Sequence, residues 1–123
     1  MKELKIGDLT VRLPIIQGGM GVGISLSSLA SAVANEGGVG VISVAAIGIS
    51  EKGFFTNFLE ANTNALKKEI RKAREFTKGI LGVNIMMALS NYADMFRTAI
   101  EEGIDIIFSG AGLPLNLPQF LKG

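Results

Sequence analysis

The stretch "PIIQGGMGVGISLSSLASAVANEGGVGVIS", Pro14 to Ser43, places glycine clusters on both sides of one helical pattern. Leu13–Ile16 is a short apolar run that reads as a buried strand, and it ends at Gln17 and two glycines. Leu26, Leu29, Ala30, Val33 and Ala34 then follow helical spacing. Ser25, Ser27 and Ser28 offer N-cap oxygens and Gly37 a C-terminal stop. Val39–Ile42 is a second buried strand, ending at Ser43. A strand, a helix and a second strand, both strands apolar almost throughout, predict parallel pairing in a sheet covered on both faces.

Glycines just before a helix raise the question of a bound phosphate. A dinucleotide fingerprint needs G-x-G-x-x-G and an acid at the end of the second strand. Gly19, Gly21 and Gly23 give G-x-G-x-G instead, and no acid follows the second strand until Glu51. A triphosphate loop needs a lysine, but Gly23 is followed by Ile24 and Ser25. Both sites are therefore disfavoured. Lacking Cβ atoms, Gly18, Gly19 and Gly21 can still bring the backbone close to a flat ligand, or simply let a helix pack close to a strand.

The same alternation continues along the chain. "NTNALKKEIRKAREFTKG" predicts a second amphipathic helix after a loop over residues 45–62 that carries Phe54, Phe55 and Phe58. "ILGVNIMM" is a third strand. "SNYADMFRTAIEEG" is a third helix, capped by Ser90 and stopped by Gly103, and "IDIIFSG" is a fourth strand. Strands are thus expected near 13–17, 39–43, 80–85 and 104–109. They should lie side by side in chain order, whereas an order of 3-2-1-4 would mean a doubly wound sheet. The strands end in Gln17, Ser43, Asn84 and Ser109, at the strand ends where parallel α/β folds build their sites. Asn84 sits among apolar neighbours, and a buried amide needs partners for both of its ends.

Composition narrows the chemistry. The 123 residues are 48% hydrophobic and 19% charged, enough for one domain, residues 1–123, with a real core. A net charge of +1 gives no reason to expect nucleic acid. Without cysteine or histidine, thiolate sites, the commonest metal ligand and the commonest general base are all missing, so no metal site is expected. No stretch reads as a membrane span or a secretory leader, and a cytoplasmic location is expected. The second helix is basic, and the plain reading is a solvated outer face. Met86 and Met87 are expected in the core, and the three phenylalanines are expected to anchor their loop.

"LPIIQGGMGVGISLSSLASAVANEGGVGVIS", "LGVNIM" and "IIFSGAGLP" resemble the nitronate monooxygenase family, formerly called 2-nitropropane dioxygenases, over nearly the whole chain. The resemblance implies a (β/α)8 TIM barrel with FMN at the C-terminal ends of its strands. It implies that the backbone around Gly19, Met20 and Gly21 lines the flavin and that Asn84 hydrogen-bonds to it, with Gln17 supporting the turn. Gly110–Pro114 would form a loop over the mouth. The implied activity is FMN-dependent oxidation of a small-molecule nitronate or nitroalkane by dioxygen. The alternatives are a flavin-dependent enoyl-acyl-carrier-protein or quinone reductase on the same fold, and a non-catalytic half-barrel that self-associates.

A TIM barrel typically takes about 250 residues. Four strands in 123 residues make the chain, by this reading, the N-terminal half of the barrel. The family's catalytic histidine, carried by many members on a later strand, has no counterpart, and no catalytic residue is assigned here. A half-barrel leaves two parallel edges unpaired, and such edges recruit partners. Two copies could supply eight strands, which makes a homo-oligomer conceivable.

Overall fold

A computed structural model describes residues 1–121. The chain opens with a β-hairpin, β1 (Leu4–Ile6) and β2 (Leu9–Val11), paired antiparallel across Gly7 and Asp8. There follow α1 (Ser27–Asn35), β3 (Gly40–Ser43), α2 (Phe58–Phe76), β4 (Leu81–Met86), α3 (Tyr92–Glu101) and β5 (Ile106–Gly110). A short 3-10 helix, Leu117–Leu121, ends the described residues.

β3, β4 and β5 form a parallel sheet in chain order. The segment 13–17 lies on the outer side of β3. It makes a single parallel bridge, Ile16 with Val39, and backbone bonds from Val39 N–H to Ile15 O and from Gln17 N–H to Val39 O. The four expected β segments therefore run side by side in the order of a barrel, not of a doubly wound sheet. The first is a bridge rather than a full strand. The Ile15 N–H turns back to Leu13 O instead of reaching the neighbouring strand, and beyond Gln17 the backbone leaves the sheet.

Each face of the sheet has its own core. Ile42, Val44, Leu81, Val83 and Ile85 point to the helices and pack with Ala30, Leu66, Ile70, Met95 and Ala99, all buried. Val39 and Val41 point the other way, to the inner face, where Ile80, Ile106 and Phe108 join them. The hairpin closes this inner face: Val11 is fully buried against Val39 and Val41. The hairpin is absent from the reading of the sequence, although Gly7, at φ 55°, opens a two-residue turn of the kind that joins short strands.

Two helix starts also differ from expectation. None of Ser25, Ser27 and Ser28 caps α1. Its N-cap position is Leu26, and a carboxylate oxygen of Glu69, reaching over from α2, accepts the Ser27 N–H at 2.9 Å. A negative charge at the positive end of the helix dipole does a serine's work. α2 begins at Phe58, within the expected loop, because Asn57 accepts the Glu60 N–H and donates to the Glu60 carboxylate, a reciprocal cap. α3 starts after Asn91 rather than Ser90, with no side-chain cap bond.

The basic face of α2 is used for internal ties. Arg71 makes a two-point contact with Glu102, which holds its guanidinium pKa above the ordinary value through the hydrogen bond and then the charge. Arg74 reaches Asp105 at 2.7 Å and the Gly79 carbonyl at 2.9 Å, and Asp105 also accepts the Leu81 N–H. This network ties α2 to the N-terminal ends of β4 and β5, the end of a parallel α/β fold that serves stability.

Candidate functional site at the C-terminal strand ends

Side chains alternate between the faces of a sheet, and the register therefore sorts the four polar strand ends. Ser43 pairs with Asn84, and Asn84 with Phe108. All three share the inner face with Val41. Ser109 pairs with Ile85, a residue of the helix-side core, and so lies on the opposite face. Its hydroxyl is buried and has no hydrogen-bond partner among the described residues. Gln17 is spent on the sheet: its carboxamide donates to Val41 O and accepts from Val41 N–H, both at 3.0 Å. Ser43 is buried on that face, and Asn84 is left facing the mouth.

The glycine segment after Gln17 crosses the strand ends toward Asn84. A Cβ on Gly19 would lie 2.9 Å from the Asn84 Cβ and 3.4 Å from its Oδ1. The backbone thus reaches past β3 to rest on a side chain of β4, and only glycine allows that approach. Gly21 is closed in differently, because a Cβ there would meet Ala45, just beyond β3, at 2.7 Å. Around Gly18 and Gly110 there is open space instead.

Ser25 holds this segment in shape. Its hydroxyl accepts the Met20 N–H and its own N–H bonds Met20 O, both at 2.9 Å, while its carbonyl takes the Ser43 N–H. Sequence reasoning placed Ser25 in a cap; its work is to pin Met20. Met20 itself stays exposed. Val22 N–H bonds Ala45 O at 2.7 Å, which joins the first loop to the second.

Backbone strain gathers at the same end. Val22, Ala46 and Ala111 have φ of 56°, 52° and 53°. They follow the exits of segment 13–17, β3 and β5. Left-handed conformations in β-branched or bulky residues are outliers, and such strain concentrates at functional sites. Past β5, the chain turns at Ala111 and Gly112, and Gly112 packs on Met87.

Asn84 can serve a ligand through its acceptor end. Its Nδ2 reaches Phe108 O at a long 3.5 Å, and its Oδ1 accepts no hydrogen bond among the described residues. Met86, on the same face, is partly exposed rather than sunk in the core. The N-terminus of α1 is not open to a phosphate, because Glu69 already occupies it. The glycines after the first strand thus serve close backbone approach, not a phosphate grip at α1.

The sequence matches the profile of the family described as nitronate monooxygenase over residues 2–109. The chain belongs to the nitronate monooxygenase family. This is a family of oxidoreductases. Among solved structures, the chain is similar to FabK from Thermotoga maritima, with 29% identity and a TM-score of 0.71 over 91% of this chain and 31% of that one. It is also similar to a mutant of the same FabK, with 28% identity and a TM-score of 0.71 over 91% of this chain and 33% of that one. The chain thus spans about a third of the length of these structures. No curated protein matches. Together with the order of the sheet, these likenesses make the fold an α/β architecture with parallel strands and helical crossovers, like that of the FabK barrel.

Proposed function

We propose that this chain of the nitronate monooxygenase family forms one wall of an FMN site in a flavin-dependent oxidoreductase acting on nitronates or nitroalkanes with dioxygen. The observation that carries the reading is the Gly19 backbone lying on Asn84, whose Oδ1 is unengaged at the mouth of a parallel sheet. A flat ring with an N–H donor fits a glycine-lined surface beside an amide acceptor. Bound flavin would supply the electron acceptor, and the protein supplies binding and orientation.

This chain's own residues have limited roles in that scheme. Gly18, Gly19, Met20 and Gly21 line the ring, Asn84 fixes its rotation by one hydrogen bond, and Ser25 keeps Met20 in place. None of Gln17, Ser43, Asn84 and Met86 can take a proton from a carbon acid near neutral pH.

The test is an FMN titration of the purified chain, followed by amide chemical shifts. Shifts centred on Gly19, Met20 and Asn84 are expected. Shifts elsewhere, or none at millimolar FMN, would reject the site. The likeness to FabK favours a second reading, a flavin-dependent enoyl-acyl-carrier-protein reductase on the same fold. Supplying an enoyl thioester and a nicotinamide donor in place of a nitronate to this segment joined to the rest of a family barrel separates the two.

A further inference from the structure

The ladder between segment 13–17 and β3 is completed by a side chain. In a parallel pair, hydrogen bonds alternate regularly along the two backbones. Here Val39 N–H goes to Ile15 O, and Gln17 N–H to Val39 O. The next two partners in that series are the Gln17 carbonyl for Val41 N–H and the Gly19 N–H for Val41 O. Both positions are filled by the Gln17 carboxamide: Oε1 takes the Val41 N–H and Nε2 gives to Val41 O, each at 3.0 Å. One side-chain amide thus stands in for the carbonyl of one peptide group and the N–H of the next, on either side of Gly18.

We propose that Gln17 is a positioning residue that frees the Gly18–Met20 backbone from the sheet and sends it across the strand ends onto Asn84. With Val41 satisfied by the side chain, the main chain of residues 17–19 has no ladder to complete. It bends over β3, and Gly19 comes to rest on β4. A backbone that stayed in the ladder would bond Val41 itself and climb away from Asn84. Glutamine suits the role because its amide carries one donor and one acceptor on a reach long enough to span from Cα to the neighbouring strand. The role bears on the flavin reading above, since it shapes the wall that reading assigns, but its test does not need flavin.

The experiment is nuclear magnetic resonance on the chain and two variants. Gln17→Met keeps the volume and loses both polar atoms, and Gln17→Glu keeps an acceptor and loses the donor. In the unmodified chain, the Gln17 side-chain amide protons should exchange slowly and show contacts to Val41, and Gly19 should show contacts to Asn84. In Gln17→Met, Val41 amide exchange should quicken by about tenfold, the scale of one net hydrogen bond. The Gly19–Asn84 contacts should vanish, while Ile42 and Val83 exchange within about twofold of the parent, as expected for a site that opens locally. In Gln17→Glu, Val41 N–H should remain protected while the Gly19–Asn84 contacts weaken, which separates the acceptor's share from the donor's. If Gln17→Met does not fold, Gln17→Glu and the parent's side-chain amide contacts decide the matter. Gly19–Asn84 contacts that survive in the folded variants would overturn the proposal. FMN titration of the same samples judges the flavin reading separately, because its failure in the parent leaves the Gly19–Asn84 result standing.

Discussion

Two glycines one residue apart make opposite demands. Gly19 has no room for a side chain, whereas Gly18 has nothing within 4 Å of where its Cβ would be. Gly19→Ala should displace Asn84 and lower stability by about 1–3 kcal/mol, the range for overpacking. Gly18→Ala should leave urea unfolding within about 0.5 kcal/mol of the parent and yet weaken FMN binding, because the space it fills is the ligand's. A Gly18→Ala chain that bound FMN as well as the parent would argue against a flavin on that face. In a full-length parent, Asn84→Ala should weaken FMN by about 1–3 kcal/mol, the usual effect of stranding a polar partner, measured by fluorescence titration. The strained alanine at φ 52° makes a further prediction. Ala46→Gly should hold or raise the unfolding midpoint, since the left-handed penalty of about 1–2 kcal/mol slightly exceeds glycine's entropic disadvantage.

At the scale of elements, α1 depends on a residue 42 positions away from the amide it caps. Removing that carboxylate with Glu69→Ala should destabilise the chain by about 0.5–2 kcal/mol, as for other lost N-caps, and denaturant unfolding measures it. Asn57→Ala should lose a comparable amount and shorten α2 from its first turn, seen as reduced helical circular dichroism. The contrast between these two caps shows what a sequence discloses. Asn57 and Glu60 stand three apart, so their reciprocal cap is written locally and is available to a reader who looks for it. Glu69 on Ser27 is a meeting of two helices, and no local pattern announces it. β3, β4 and β5 were legible because each is a short, mostly apolar run, and their observed bounds differ from the expected ones by a residue or two, whereas segment 13–17 is only a bridge. The hairpin was harder because its strands have only three residues each. Asn84 stood out as an amide among apolar neighbours. Ser109 is likewise a polar residue at a strand end, and only the strand register shows that it faces the helices.

For the whole molecule, the inner face and the two sheet edges decide behaviour. The hairpin covers the lower part of the inner face, and the mouth above it is lined from one side by Gly19 and Asn84. A groove of about 810 Å³ runs under the β5 edge, lined by Ile104, Ile106, Ile107 and Leu117 among others. A smaller apolar groove lies at the opposite edge, between Leu13, Ile15 and Val33. Barrel phosphates are usually held after strands seven and eight, and four β segments offer no such position. Residues 1–123 alone should therefore bind FMN weakly and should not turn over nitronates. A stoichiometric flavin spectrum retained through gel filtration would contradict this. The exposed edges should also make the chain self-associate. Light scattering that reported a strict 13.0 kDa monomer at high concentration would count against that expectation.

The order of the sheet sets how such a fold can grow. Each strand from β3 onward joins the free edge left by its predecessor, so the newest strand is always the outermost. A further strand-and-helix unit can be appended after β5 without breaking a single existing pair. Had the order been 3-2-1-4, the sheet would have grown first in one direction and then back across its own starting point. A chain-order sheet is an open-ended series, with β5 as its growing end and segment 13–17 as its fixed origin, and the two can meet only by curling round.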